Sequence, residues 1–122
     1  MLTSLGKFLR KLRIDNGEIL KNMSDKLDVS PSFLSAVENG KKKMPSSWNS
    51  KICLFYQLTP EQVNEFTKAI AETENSLTLS LDSLTSLQKE HAISFARTFD
   101  ELSDEQWDAI SQILKKGSTK NV

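Results

Sequence analysis

At 122 residues the chain has room for one domain of ordinary size, or a small module with an extension, and its core needs neither disulfides nor metal. With 38% hydrophobic and 26% charged residues it reads as a globular protein rather than a disordered tail, and no apolar run approaches the ~20 residues of a membrane span. Lys/Arg and Asp/Glu balance overall, but residues 1–45 hold nine basic against five acidic groups, +4, and residues 46–122 hold seven against eleven, −4. A basic front and an acidic back fit a nucleic-acid module joined to a separate interaction module.

The first stretch, MLTSLGKFLRKLR, is too interrupted by charge for a secretory signal, and its Leu5, Phe8, Leu9 and Leu12 form a helical core stripe. Helix 1 is expected from about Thr3 to Asp15, ended by Gly17. From Leu20 to Gly40 the chain reads as two short helices and a tight turn. Leu20, Met23 and Leu27 share one face of the first, and Asp28-Val29 make the turn, Asp tolerating a left-handed backbone and Val acting as an apolar plug. Ser30 as N-cap and Pro31 at the first position open the second helix, which buries Leu34 and Val37 and stops at Asn39-Gly40. Two helices so connected form a helix-turn-helix, the motif whose second helix enters the DNA major groove.

The run from Met23 to Lys41, M-S-x-K-L-x-V-S-x-S-x-L-S-x-V-E-N-G-K, resembles the Cro/repressor-type helix-turn-helix of the XRE family, and the resemblance covers roughly residues 5–58. The family usually has Gly where Asp28 stands, and Gln or Thr where Ile19-Leu20 open the first motif helix. The resemblance implies that Arg13 pairs with Glu38, locking helix 1 to helix 3. It also places base contacts at Ser32, Phe33 and Ala36, with Ser35 on the flank. Packing of Phe33 against helix 2 is an equal alternative. This reading surface has no Arg, Lys, Asn or Gln before Asn39, so it lacks the strong bidentate base pairings within the helix. Specificity is then expected to lean on A/T content, DNA shape and dimer spacing. Lys41, Lys42 and Lys43 read as a phosphate clamp setting register, with Lys21, Ser30 and Asn39 completing the expected DNA-contacting set.

Helix 4 is expected over about residues 46–57 with Trp48, Ile52 and Phe55 on one face. Thr59-Pro60-Glu61-Gln62 starts helix 5, which carries Val63, Phe66 and Ile70 to about Glu74. Residues 1–75 thus make a five-helix DNA-binding domain in an all-α chain. Residues 76–117 follow as an extended segment plus a two-helix hairpin, and residues 118–122 as a disordered tail. In the extended segment Leu77, Leu79 and Leu81 alternate with small polar residues, a strand pattern that needs a partner. It is read either as a strand pairing with a second subunit or as a linker laid on the helices. Helix 6 runs to Leu102 with Phe95 and Phe99, and Ser103-Asp104-Glu105-Gln106 caps helix 7, which carries Trp107, Ile110 and Leu114 and ends at Lys115-Lys116-Gly117. A hairpin alone buries one side of each helix, so Leu77, Leu79, Leu81, Phe95, Phe99, Trp107, Ile110 and Leu114 form the expected dimerisation surface.

The lone His91 has no second His or Cys at ligand spacing, Cys53 leaves no intramolecular disulfide, and no phosphate loop, nucleophile elbow or H-E-x-x-H occurs. No enzyme activity, metal or cofactor is therefore expected, and a reducing cytoplasm is the simplest location. The expectation is a homodimeric, sequence-specific repressor on an inverted-repeat operator in double-stranded DNA, and the resemblance implies a protein of the kind that bacteria or their phages encode. Two alternatives stay open: an antitoxin-like DNA binder whose C-terminal half grips a protein partner, and a phage-type inhibitor using the fold for protein binding alone.

Overall fold

In a computed structural model, which describes the backbone of residues 1–120 and the side chains of residues 1–116, the chain is all-α with no strand among the described residues. The helices are α1 (Ser4–Asp15), α2 (Leu20–Lys26), α3 (Pro31–Glu38), α4 (Trp48–Phe55), α5 (Pro60–Thr73), α6 (Ser86–Thr98) and α7 (Asp104–Lys120), with a 3₁₀ turn at Phe99–Glu101. The chain divides into two compact units, Met1–Leu79 and Ser80–Val122.

The first unit is built around α1. Leu5, Leu9 and Leu12 are buried at helical spacing and meet Met23, Leu27, Leu34, Val37, Met44, Trp48, Ile52, Tyr56 and Phe66 in one core. Each fully buried apolar side chain of this size contributes about 1.5–3 kcal/mol. Phe8 stacks on Phe66 with ring centroids 5.1 Å apart, tying α1 to α5. The start of α1 is fixed twice. Thr3 caps it by accepting from the Gly6 amide at 3.0 Å, and the Leu5 amide donates to Thr73 Oγ1 on α5 at 3.1 Å.

Four helices of this unit end in the same lock. After α1, α2, α3 and α4 the chain turns through a left-handed residue, Gly17, Asp28, Gly40 and Gln57. The next amide then reaches back to the carbonyl five residues earlier: Glu18 to Arg13, Val29 to Ser24, Lys41 to Ala36 and Leu58 to Cys53. This is the Schellman arrangement, which satisfies the last carbonyls of a helix and turns the chain sharply. Glycine takes that backbone without strain at Gly17 and Gly40, whereas Asp28 and Gln57 hold it at a cost.

One expectation is corrected in this unit. Phe55 is not the third core residue of α4; it is 44% exposed, and Tyr56 is buried in its place. Trp48, Ile52 and Tyr56 recur at four-residue steps, so the core-facing stripe runs one residue beyond Phe55. Residues 76–81 form no strand within the chain. An alternating pattern with no strand to pair with leaves its amides to water, and Leu77 and Leu79 lie exposed. The start of the segment is nonetheless held, because Lys43 donates to Ser76 Oγ and the Met44 amide to Glu74 Oε1 at 3.4 Å.

The second unit has no buried residue among those described. Thr85 and Gln88 cap α6 reciprocally, and Ser103 and Gln106 do the same for the start of α7. Helix α6 stops at Thr98, before the expected Leu102, and tightens into the 3₁₀ turn. Around that turn Phe95 stacks on Phe99 at 6.0 Å and meets the edge of Trp107 at 5.9 Å. Helix α7 continues past Lys115-Lys116-Gly117 to Lys120, so most of the expected tail is helical in backbone; residues 121 and 122 lie outside the described residues.

Candidate nucleic-acid interface

The placement of α3 is set from behind. Leu34, Val37 and Glu38 are buried, while Ser32, Ser35, Ala36 and Asn39 fall on the opposite stripe, exposed or half-exposed. Ser30 caps the helix by accepting from the Phe33 amide at 3.1 Å, and its hydroxyl proton stays available to a phosphate at this exposed helix start. Phe33 is half-buried, packs against the core and meets Trp48 of α4 edge-on with ring centroids 6.0 Å apart. At the other end Asn39 folds back, its Nδ2 donating to the Ser35 carbonyl at 2.9 Å.

Arg13 and Glu38 are brought together as a two-pronged ion pair under α3. Nη1 meets Oε2, Nη2 donates to Oε1 at 3.2 Å, and Nη1 also lies 3.5 Å from the Met23 sulfur. Both residues are buried, 7% and 4% exposed. The carbonyl of Glu38 accepts from the Thr3 amide at 3.0 Å and from Thr3 Oγ1 at 3.1 Å. Gly6 lets α1 approach this closely, since a Cβ there would sit 2.1 Å from the same carbonyl oxygen. Arg13, Thr3 and Gly6 therefore fix where α3 sits relative to α1.

Lys41, Lys42 and Lys43 follow Gly40 and are exposed. The amides of Lys41 and Lys42 both donate to the Ala36 carbonyl, at 2.8 and 3.3 Å, so the loop leaves α3 on a fixed path. Lys41 and Lys42 reach water with no carboxylate partner among the described residues, while Lys43 is engaged with Ser76. Lys21 pairs with Asp25 one turn along α2 at 3.3 Å, an exposed contact weak enough to exchange for a phosphate.

Residue-by-residue reading missed a second polar node. Tyr56 Oη donates to Glu18 Oε1 at 2.6 Å, Lys26 Nζ pairs with Glu18 Oε2 at 2.5 Å, and the same ammonium lies 4.5 Å from the Tyr56 ring centre. It ties the α1–α2 turn to the ends of α2 and α4. Burial pushes the Glu18 carboxyl up, but the hydrogen bonds from Lys26 and Tyr56 outweigh it and hold the group below its ordinary value. Burial, and then the Glu18 carboxylate, push the Tyr56 phenol well above the usual range. Burial also pushes the Cys53 thiol above its ordinary value.

The residues expected to join two subunits divide between the units. In the first, Leu77 and Leu79 are exposed. In the second, Leu81 and Ile110 are half-buried, whereas Phe95, Phe99, Trp107 and Leu114 are exposed. No group of His, Cys, Asp and Glu able to hold a metal occurs among the described residues, and no described helix is long and apolar enough to cross a membrane.

No family model and no solved structure matches the chain. Over 54 residues it is 39% identical to the transcriptional regulator ClgR of Mycobacterium tuberculosis, in the strains CDC 1551 / Oshkosh and ATCC 25618 / H37Rv. The match covers 44% of this chain and 48% of each relative. The chain thus spans about half the length of the curated relatives it matches.

Proposed function

We propose that this chain is a DNA-binding transcriptional regulator of the Cro/repressor-like, XRE type, in which α3 enters the major groove and the Lys41–Lys43 loop grips the flanking phosphates. The observation that carries the reading is the α2–α3 pair itself: a recognition helix locked from behind by Arg13–Glu38, with an exposed outer stripe and a lysine loop leaving its end. The partial match to a transcriptional regulator supports it. Regulation is by occupancy of a promoter, as a repressor in the cytoplasm of a bacterium or in a phage-infected cell, with no enzymatic step and no cofactor.

The second unit is proposed to join two copies. It buries no described residue and leaves Phe95, Phe99, Trp107 and Leu114 exposed, apolar side chains of the kind that mark an interaction surface. A symmetric dimer would set two recognition helices ~34 Å apart on an inverted repeat. The same exposed surface supports a second reading, in which this unit grips a different protein, as in antitoxin-like regulators.

The test is a titration of labelled mixed-sequence duplex at several salt concentrations. Each phosphate neutralised by a lysine steepens the salt dependence by about 0.9 in log–log slope. Lys41→Glu combined with Lys43→Glu is expected to abolish binding while the unfolding midpoint stays unchanged. Binding by that variant as tight as the original would refute the clamp, and with it the major-groove docking of α3.

A further inference from the structure

The outer stripe of α3 carries one polar pair whose hydrogen-bonding sense is fixed by chemistry. Asn39 Nδ2 donates to the Ser35 carbonyl at 2.9 Å and lies 3.5 Å from Ser35 Oγ. A carbonyl oxygen only accepts, so the amide group cannot take the reverse orientation. Its Oδ1 is therefore turned away from the helix; it has no partner among the described residues and is not buried. Ser35 Oγ, facing the Asn39 amide as an acceptor, keeps its own proton to donate. The two residues are one turn apart and half-exposed. Together they hold out one acceptor and one donor, the pattern that a single Asn or Gln amide presents in base recognition.

In the major groove, adenine shows the complementary pair, an N6 amino donor beside the N7 acceptor. Guanine shows two acceptors there, cytosine a lone amino donor, and thymine an acceptor beside a methyl group. We propose that Ser35 and Asn39 act jointly as an adenine-reading element, Asn39 Oδ1 accepting from N6 and Ser35 Oγ donating to N7. The inference rests on the reading of α3 as a DNA-recognition helix. It also sets Asn39 apart from the lysines: with its amide N–H groups turned to the helix, the exposed carbonyl oxygen cannot bind a phosphate, which has acceptors alone.

The test compares the sequences enriched from a random duplex pool by the full chain and by its Ser35→Ala variant, with Asn39→Ala as a second variant. Alanine suits an α-helix at position 35, and circular dichroism checks that both variants are folded. The full chain is expected to enrich an A·T pair at one fixed position per half-site. Each variant is expected to lose that preference by about 10- to 100-fold, with preferences elsewhere and the salt slope retained. Enrichment of an identical sequence by Ser35→Ala would overturn this inference and leave the functional reading standing. No enrichment by the unmodified chain would overturn both.

Discussion

Replacing Glu38 by Ala should destabilise the first unit by about 3–5 kcal/mol, because it strands the Arg13 guanidinium in a site that is 7% exposed. The reverse change, Arg13→Met, strands the Glu38 carboxylate, 4% exposed, and should cost a similar amount. A domain of the span Met1–Leu79 is held by about 4–12 kcal/mol in total, at about 0.05–0.15 kcal/mol per residue, so either change removes a large share. The double variant Arg13→Met/Glu38→Leu removes both charges and fills the space with apolar atoms, and should lose far less than the sum of the single losses. Urea unfolding followed by the fluorescence of Trp48 measures this directly, in a Trp107→Phe background that leaves one tryptophan in the buried core. Single losses below about 1 kcal/mol, the range of a solvated surface pair, would refute the buried-pair reasoning, as would strict additivity in the double variant.

Gly6→Ala places a methyl group 2.1 Å from the Glu38 carbonyl oxygen, a backbone atom with no freedom to move, and is expected to cost at least about 2 kcal/mol in urea unfolding. Asp28→Gly and Gln57→Gly relieve left-handed backbone at φ 57° and 47°, and each should raise stability by about 0.5–1 kcal/mol, read as a higher urea midpoint. Tyr56→Phe removes one of the two hydrogen bonds, the other being from Lys26, that hold the Glu18 carboxyl below its ordinary value. A carboxyl with a lowered folded pKa stabilises the fold above its unfolded value, near 4.5, and that contribution is lost as pH falls through the folded value. The stability gap between the original and Tyr56→Phe should thus be full at pH 7 and close below about pH 4.5. Tyr56 is the one tyrosine of the chain, so its absorbance titration should show ionisation well above the range of a free phenol.

Much of the first unit is legible because its signals are local. The Leu5, Leu9 and Leu12 stripe, the Ser30 and Thr59 caps and the Gly17 and Gly40 stops each depend on residues within one or two turns. Tyr56 escaped because Phe55 and Tyr56 both fit a core stripe counted from Trp48. What decides between them is Glu18, which is 38 positions away and waits to take the hydroxyl. Period-two alternation at 77–81 left a strand paired with a second copy and a linker both open, since strand formation is a property of pairs and no described segment of this chain offers an edge. The stop at Gly117 lacked force because an isolated glycine costs only about 1 kcal/mol within a helix. For the site, the outer stripe of α3 follows from helical spacing once Leu34 and Val37 are known to face inward. The orientation of the Asn39 amide does not, since it depends on a side chain folding back onto the Ser35 carbonyl. The bond between Lys43 and Ser76 is likewise hidden in sequence, spanning 33 positions.

The most direct test of the central claim is selection of bound duplex from a random pool by the full chain, with the affinity of the enriched sequence followed against salt. An inverted repeat with half-sites about one helical turn apart is expected, with a salt slope of several units for two copies each neutralising several phosphates. Weak retention with no enriched sequence and a flat salt response would contradict the claim, and would point to the helix-turn-helix and the exposed second unit as surfaces for a protein.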